Sequence, residues 1–121
     1  MGQARTLNDK ELNLLLLYID TRRHAARNRA MVLMTYWGGM RIGEVAATKL
    51  RDVLALDGSI KQDIRLTAEQ TKGRHARTVV LADKLRKELQ VYLQQRYGTK
   101  KLVEVASTVD MNAALFATQQ R

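Results

Sequence analysis

The chain has 121 residues with 45% hydrophobic and 27% charged side chains, the size and balance of one folded domain and unlike a disordered or fibrous sequence. Lys and Arg number 21 against 12 Asp and Glu, a net charge of +9, which favours a polyanionic partner. Cysteine is absent and there are two histidines, so disulfides, thiol catalysis and Cys-ligated zinc are excluded and a self-contained metal site is not expected. The same lack of cysteine fits an intracellular, cytoplasmic protein. No apolar run approaches the roughly 18 residues of a membrane span, and Met1 to Thr6 lacks the apolar core of a signal peptide.

A first helix is expected near 8–22. Asn8 can cap its start and Glu11, three residues on, can complete a capping box. Leu12 and Leu14 to Ile19 are almost continuously apolar, so this helix is expected to be covered on more than one side. A second helix, 25–37, runs from the basic Arg27 and Arg29 into Met31, Val32, Leu33, Met34, Tyr36 and Trp37, and Gly38-Gly39 should stop it. Trp37 and the methionines 31, 34 and 40 read as core. The third helix, 41–49, places Ile42, Val45 and Ala46 on one face.

After Arg51 the period changes. Val53 to Ala55, the turn signal Leu56-Asp57-Gly58, the interleaved Ile60, Ile64 and Leu66, and the β-branched Thr78-Val79-Val80-Leu81 predict a three-stranded antiparallel sheet between residues 52 and 81. Asp83 should cap a last helix, 83–97, with Leu85, Leu89, Tyr92 and Leu93 on one face and Gly98 at its end. From Lys100 onward the signal fades. The expected fold is therefore one mainly α-helical α+β domain spanning 1–121.

The charge is concentrated. Residues 21–51 hold Arg22, Arg23, Arg27, Arg29, Arg41, Lys49 and Arg51 against the single acid Glu44. Arginine clusters suit two-point contact with phosphate, although blocks of charge also simply face water.

The segment Leu33 to Val45, with Gly39-Met40-Arg41-Ile42-Gly43-Glu44-Val45 at its centre, resembles the first catalytic box of the tyrosine recombinases, also called phage integrases. The segment Thr71-Lys72-Gly73-Arg74-His75-Ala76-Arg77-Thr78-Val79-Val80-Leu81 is similar to that family's β-hairpin, with Val80 where the family usually has proline. Leu115-Phe116 resembles its next Leu-Phe pair, so the likeness covers residues 6–118. It implies a protein of bacterial or phage origin that cuts and rejoins duplex DNA through a 3′-phosphotyrosyl intermediate without a cofactor. It gives Arg41 and Lys72 catalytic roles, Glu44 structural support, and Arg74, Arg77, Lys49 and Arg51 contacts to DNA.

Chemistry is consistent with those roles. A planar guanidinium can hold the extra negative charge of a phosphorane-like state at two points, and a lysine on a hairpin turn can protonate a departing 5′ oxygen. The family's later His-x-x-Arg and tyrosine nucleophile find no counterpart after Lys72. Residues His24 to Arg27 have that spacing but precede Arg41, and Tyr18, Tyr36, Tyr92 and Tyr97 all lie in apolar helical patterns. The expectation is the first half of such a catalytic domain, inactive by itself and prone to self-association through apolar surface the complete domain would cover. A non-catalytic DNA-binding or regulatory module on the same scaffold, and an unrelated basic helical protein, are the alternatives.

Overall fold

The computed structural model describes residues 7–71, 75–98 and 100–116. Among them are six α-helices, α1 (Asp9–Asp20), α2 (Ala25–Tyr36), α3 (Ile42–Ala47), α4 (Leu50–Val53), α5 (Asp83–Tyr97) and α6 (Leu102–Thr108), and two strands, β1 (Asp63–Leu66) and β2 (Arg77–Val80). None of these helices is long and apolar enough to cross a membrane.

Helix α1 starts as expected: Asn8 Oδ1 accepts the Glu11 N–H at 2.8 Å while Glu11 Oε1 accepts the Asn8 N–H at 3.0 Å. Helix α2 stops where Gly39 takes a φ of +67°, a conformation glycine adopts without strain. The Gly39 and Met40 N–H groups return to the Thr35 and Met34 carbonyls at 3.1 and 3.2 Å, which satisfies the open end of the helix. The α5 face of Leu85, Leu89, Tyr92 and Leu93 is buried. With Leu33 and Met34 of α2 it forms the centre of the core.

β1 and β2 pair antiparallel with Asp63 opposite Val80 and Leu66 opposite Arg77. The expected third strand is absent among the described residues. Residues 50–53 coil into α4, with the Leu54 N–H donating to the Leu50 carbonyl at 2.9 Å, so only a single bridge between Leu54 and Ile60 is left of that hairpin. The expected 41–49 helix ends at Ala47, because Thr48 and Lys49 are extended and give their backbone to residues 113–115: Leu50 N–H donates to Ala113 O at 3.0 Å and Leu115 N–H to Thr48 O at 2.9 Å.

Other expectations also shift. Asp83 is the first residue of α5 rather than its cap, which is Ala82; its carboxylate instead takes Arg86 Nη1 at 3.2 Å. Met34 and Met40 are core, whereas Met31 and Trp37 are half-buried against it. Trp37 lies under Lys84 Nζ, 4.3 Å from the ring centre. Ile42 is 80% exposed and does not share a buried face with Val45. Helix α1 is covered on one side only: Leu12, Leu16 and Ile19 are buried while Leu14, Leu17 and Tyr18 face outward.

Candidate active site

The loop that ends α2 delivers Arg41 to the start of α3. There the Arg41 N–H donates to Glu44 Oε1 at 3.1 Å, the reach of a third-position acid back to the helix start. Four residues bring the next anchor: the Thr48 hydroxyl donates to the Glu44 carbonyl at 2.8 Å. These bonds turn Glu44 into the protein, where it is 1% exposed, and leave the Arg41 side chain at the surface.

A buried carboxylate needs partners. Arg77, the first residue of β2, supplies them through Nε to Glu44 Oε2 at 3.1 Å and Nη2 to Glu44 Oε1, and Nη2 also donates to the Gly39 carbonyl at 3.2 Å. The arrangement is bidentate, the strongest form of such a pair. It holds Glu44 below the ordinary carboxylate range, chiefly through the Arg77 hydrogen bond, against the upward push of burial. Arg77 itself is raised by Glu44.

Across from this pair, a 3-10 turn at Ala68–Gln70 leads to Thr71. The buried Thr71 hydroxyl donates to the His75 carbonyl at 2.9 Å and accepts the His75 N–H at 3.0 Å, tying residues 71 and 75 together. Gln70 Nε2 reaches back to the Ala47 carbonyl at 2.9 Å and to Asp52 Oδ2 at 3.0 Å, locking the turn onto α3 and α4.

Gly39, Arg41, Glu44, Thr71, His75 and Arg77 line a cleft of about 290 Å3. A second, shallow depression shares Arg41, Glu44 and Thr71 with it and continues over Ala47 and Gln70. Three cationic or ionisable donors, Arg41, His75 and Arg77, therefore surround one neutralised carboxylate, an arrangement that can accept an anion. Among the described residues no cluster of acids and histidines could hold a metal ion.

Of the sequence-derived site residues, Arg41, Glu44 and Arg77 meet at this cleft. Lys72 and Arg74 lie outside the described residues. Lys49 and Arg51 do not line the cleft. Lys49 is half-buried beside Ala114 and gives its N–H to Asp52 Oδ2 at 2.8 Å, and Arg51 is exposed on α4. Glu44 pairs with the Arg77 guanidinium and the Arg41 backbone N–H. Thr71 and His75 are additions; both stand in the Thr71–Leu81 segment that resembles the family's hairpin. None of the four tyrosines lines the cleft.

Three curated relatives are similar to the chain, each named Transposase A from transposon Tn554, from Staphylococcus aureus, two of them from strains Mu50 and N315. Each is 31% identical over 99 residues, covering 79% of this chain but 26% of the relative. The chain thus spans about a quarter of the length of those relatives. No solved structure gives a significant match. The protein-family model described as the phage integrase family matches residues 5–121. That match takes in both the loop carrying Arg41 and the hairpin carrying Arg77, and the chain belongs to the phage integrase family.

Proposed function

We propose that this chain is part of a site-specific DNA recombinase and supplies the phosphate-holding half of its active site. The observation that carries the reading is the cleft in which exposed Arg41 stands beside the Glu44–Arg77 pair and the Thr71–His75 turn. Attack of a tyrosine hydroxyl on a DNA phosphate passes through a five-coordinate state with added charge on the non-bridging oxygens. Arg41 is exposed and can hold two of those oxygens. Lys72 follows Thr71 in the chain, and in this reading its ammonium protonates the departing 5′ oxygen as the bond from phosphorus breaks.

Glu44 is structural support. Arg77 has two of its donors committed to Glu44 and Gly39, so it acts on DNA with its remaining edge and mainly by fixing the cleft. Arg74, Lys49 and Arg51 extend the phosphate contacts away from the reacting centre. The attacking tyrosine and the second arginine come from outside these 121 residues, since Tyr18, Tyr36, Tyr92 and Tyr97 all lie off the cleft.

The test is titration of a labelled duplex at several salt concentrations. Phosphate contacts give a log–log salt slope near −0.9 per contact. Arg41→Ala and Lys72→Ala should each flatten it by about one. Salt-independent binding, or a slope that neither substitution alters, overturns the assignment.

A further inference from the structure

We propose that the His75 side chain is a further phosphate-contacting group of the cleft, and that a phosphodiester seated against Arg41 draws a proton onto its imidazole. The inference rests on the reading of the cleft as a DNA-phosphate site and adds one residue and one proton to it. His75, Arg41 and Arg77 line the same space of about 290 Å3. The place of His75 is set through its main chain: the Thr71 hydroxyl accepts its N–H at 3.0 Å and donates to its carbonyl at 2.9 Å. One residue separates it from Arg77, the first residue of β2, and extended chain returns every second side chain to the same side. His75 is exposed, so the imidazole can meet a ligand in the cleft.

The charges around the imidazole decide when it takes a proton. Arg41 and Glu44 face the cleft from the start of α3 and Arg77 faces it from β2. Glu44 is bound at both oxygens by Arg77 and is thereby neutralised. Glu69, on the Ala68–Gln70 turn, lines the adjoining depression, where it is exposed and screened by water. Lys72 and Arg74, on either side of Gly73 just before His75 in the chain, are cations. Among the described residues no unpaired acid lines the cleft, so an entering phosphodiester is the anion that favours the imidazolium: an opposite charge within about 4–6 Å stabilises the charged form. The imidazolium in turn adds a cationic donor to that of Arg41. Histidine is the side chain whose charge ordinarily changes between about pH 5 and 8, whereas a phosphodiester stays charged throughout. Contact between the two is therefore visible as pH-dependent binding, with the tighter binding in acid.

Titration of a labelled duplex with the chain at about pH 5.5 and about pH 8.5, at constant salt, tests this. Glu44, held below its ordinary range by Arg77, keeps its charge over that window. Binding should be about tenfold tighter in the acidic buffer, and the log–log salt slope steeper there by about one contact. His75→Gln should bind at both pH values about as weakly as the wild type does in the alkaline one. His75→Arg carries a permanent charge and should bind tightly at both. Neither substitution touches the Thr71 bonds, which use the main chain of residue 75. The chain has two histidines, and His24 has a φ of 60°, a conformation that asparagine tolerates. His24→Asn should therefore keep the full pH dependence. Wild-type binding indifferent to pH, or a dependence that survives His75→Gln or vanishes in His24→Asn, overturns the role of His75 even where Arg41→Ala still flattens the salt slope. A slope that Arg41→Ala leaves unchanged overturns the phosphate reading of the cleft and this inference with it.

Discussion

Glu44 and Arg77 form a two-point ion pair in which the acid is 1% exposed and the base 42% exposed. That asymmetry makes the two partners unequal. Removing Arg77 leaves a carboxylate inside the protein with, among the described residues, only the Arg41 N–H as donor, whereas removing the charge of Glu44 leaves a guanidinium that water can reach. Arg77→Ala should therefore cost about 3 kcal/mol, the low end for stranding a buried charge because the site is open on one side. Glu44→Gln keeps an acceptor for the Arg41 N–H and should cost about 1 kcal/mol. Urea unfolding of both variants checks the order; equal losses would contradict the assigned burial.

The same pair sets an acid limit. Glu44 titrates below its ordinary 4.5, with the Arg77 hydrogen bond as the largest cause. Its contribution to stability is complete above the ordinary glutamate range and is lost as the pH falls through the lowered value. The stability difference between the wild type and Glu44→Gln should therefore be constant near neutrality and shrink on acidification below about pH 4.5. Arg77→Ala removes the largest downward pull on Glu44 and leaves the upward push of burial, so relative to the wild type that variant should be least destabilised in acid and most at about pH 7.

Two glycines separate backbone strain from crowding. Gly39 has a φ of +67° with nothing within 4 Å of where a Cβ would lie, while Gly58, at +90°, would place that atom 2.6 Å from the Val103 nitrogen and 2.9 Å from its Cα. Gly39→Ala should cost only the left-handed penalty of about 1 kcal/mol, or about 4 °C in Tm. Gly58→Ala must also push α6 away from the Asp57-Gly58 turn, and should cost more than about 2 kcal/mol. Calorimetry of the two variants distinguishes the cases, and a similar loss in both would remove the crowding argument.

The elements that local chemistry dictates were legible in the sequence. Asn8 and Glu11 cap α1 by a contact three residues apart, and the α5 stripe of Leu85, Leu89, Tyr92 and Leu93 follows from period alone. The errors arose where distant segments compete for the same backbone. Residues 48–51 look helical in isolation, yet the Leu50 and Arg51 N–H groups go to Ala113 and Met111 at 3.0 and 2.9 Å, a pairing that no local pattern announces. Helix α6 was missed because its seven residues are short of two full turns of clear periodicity. At the site, the family resemblance singled out Arg41, Glu44 and Arg77, but no local pattern announces the Glu44–Arg77 pair, since that contact spans 33 residues. Arg29 stands in a basic block whose composition suits either phosphate contact or solvent, whereas it binds Glu88 at 2.8 Å and Asp20 at 3.3 Å and ties α1, α2 and α5 together.

Thr71 offers the last test, because its single hydroxyl both donates to and accepts from His75 at the rim of the cleft. Thr71→Val preserves shape and removes both bonds, freeing the ends of the turn at a cost of about 1–2 kcal/mol. Since His75 is exposed, its N–H can then be met by water, so the loss should be local opening and not global unfolding. Amide exchange at His75 should accelerate about 5- to 30-fold, the factor that free energy corresponds to. Exchange in the centre of α5 should stay unchanged. Thr71→Ser retains the hydroxyl and should restore slow exchange at His75. If the turn helps to shape the phosphate cleft, Thr71→Val should also weaken duplex binding while Thr71→Ser does not. Slow exchange at His75 in Thr71→Val would show that the hydroxyl does not hold the turn.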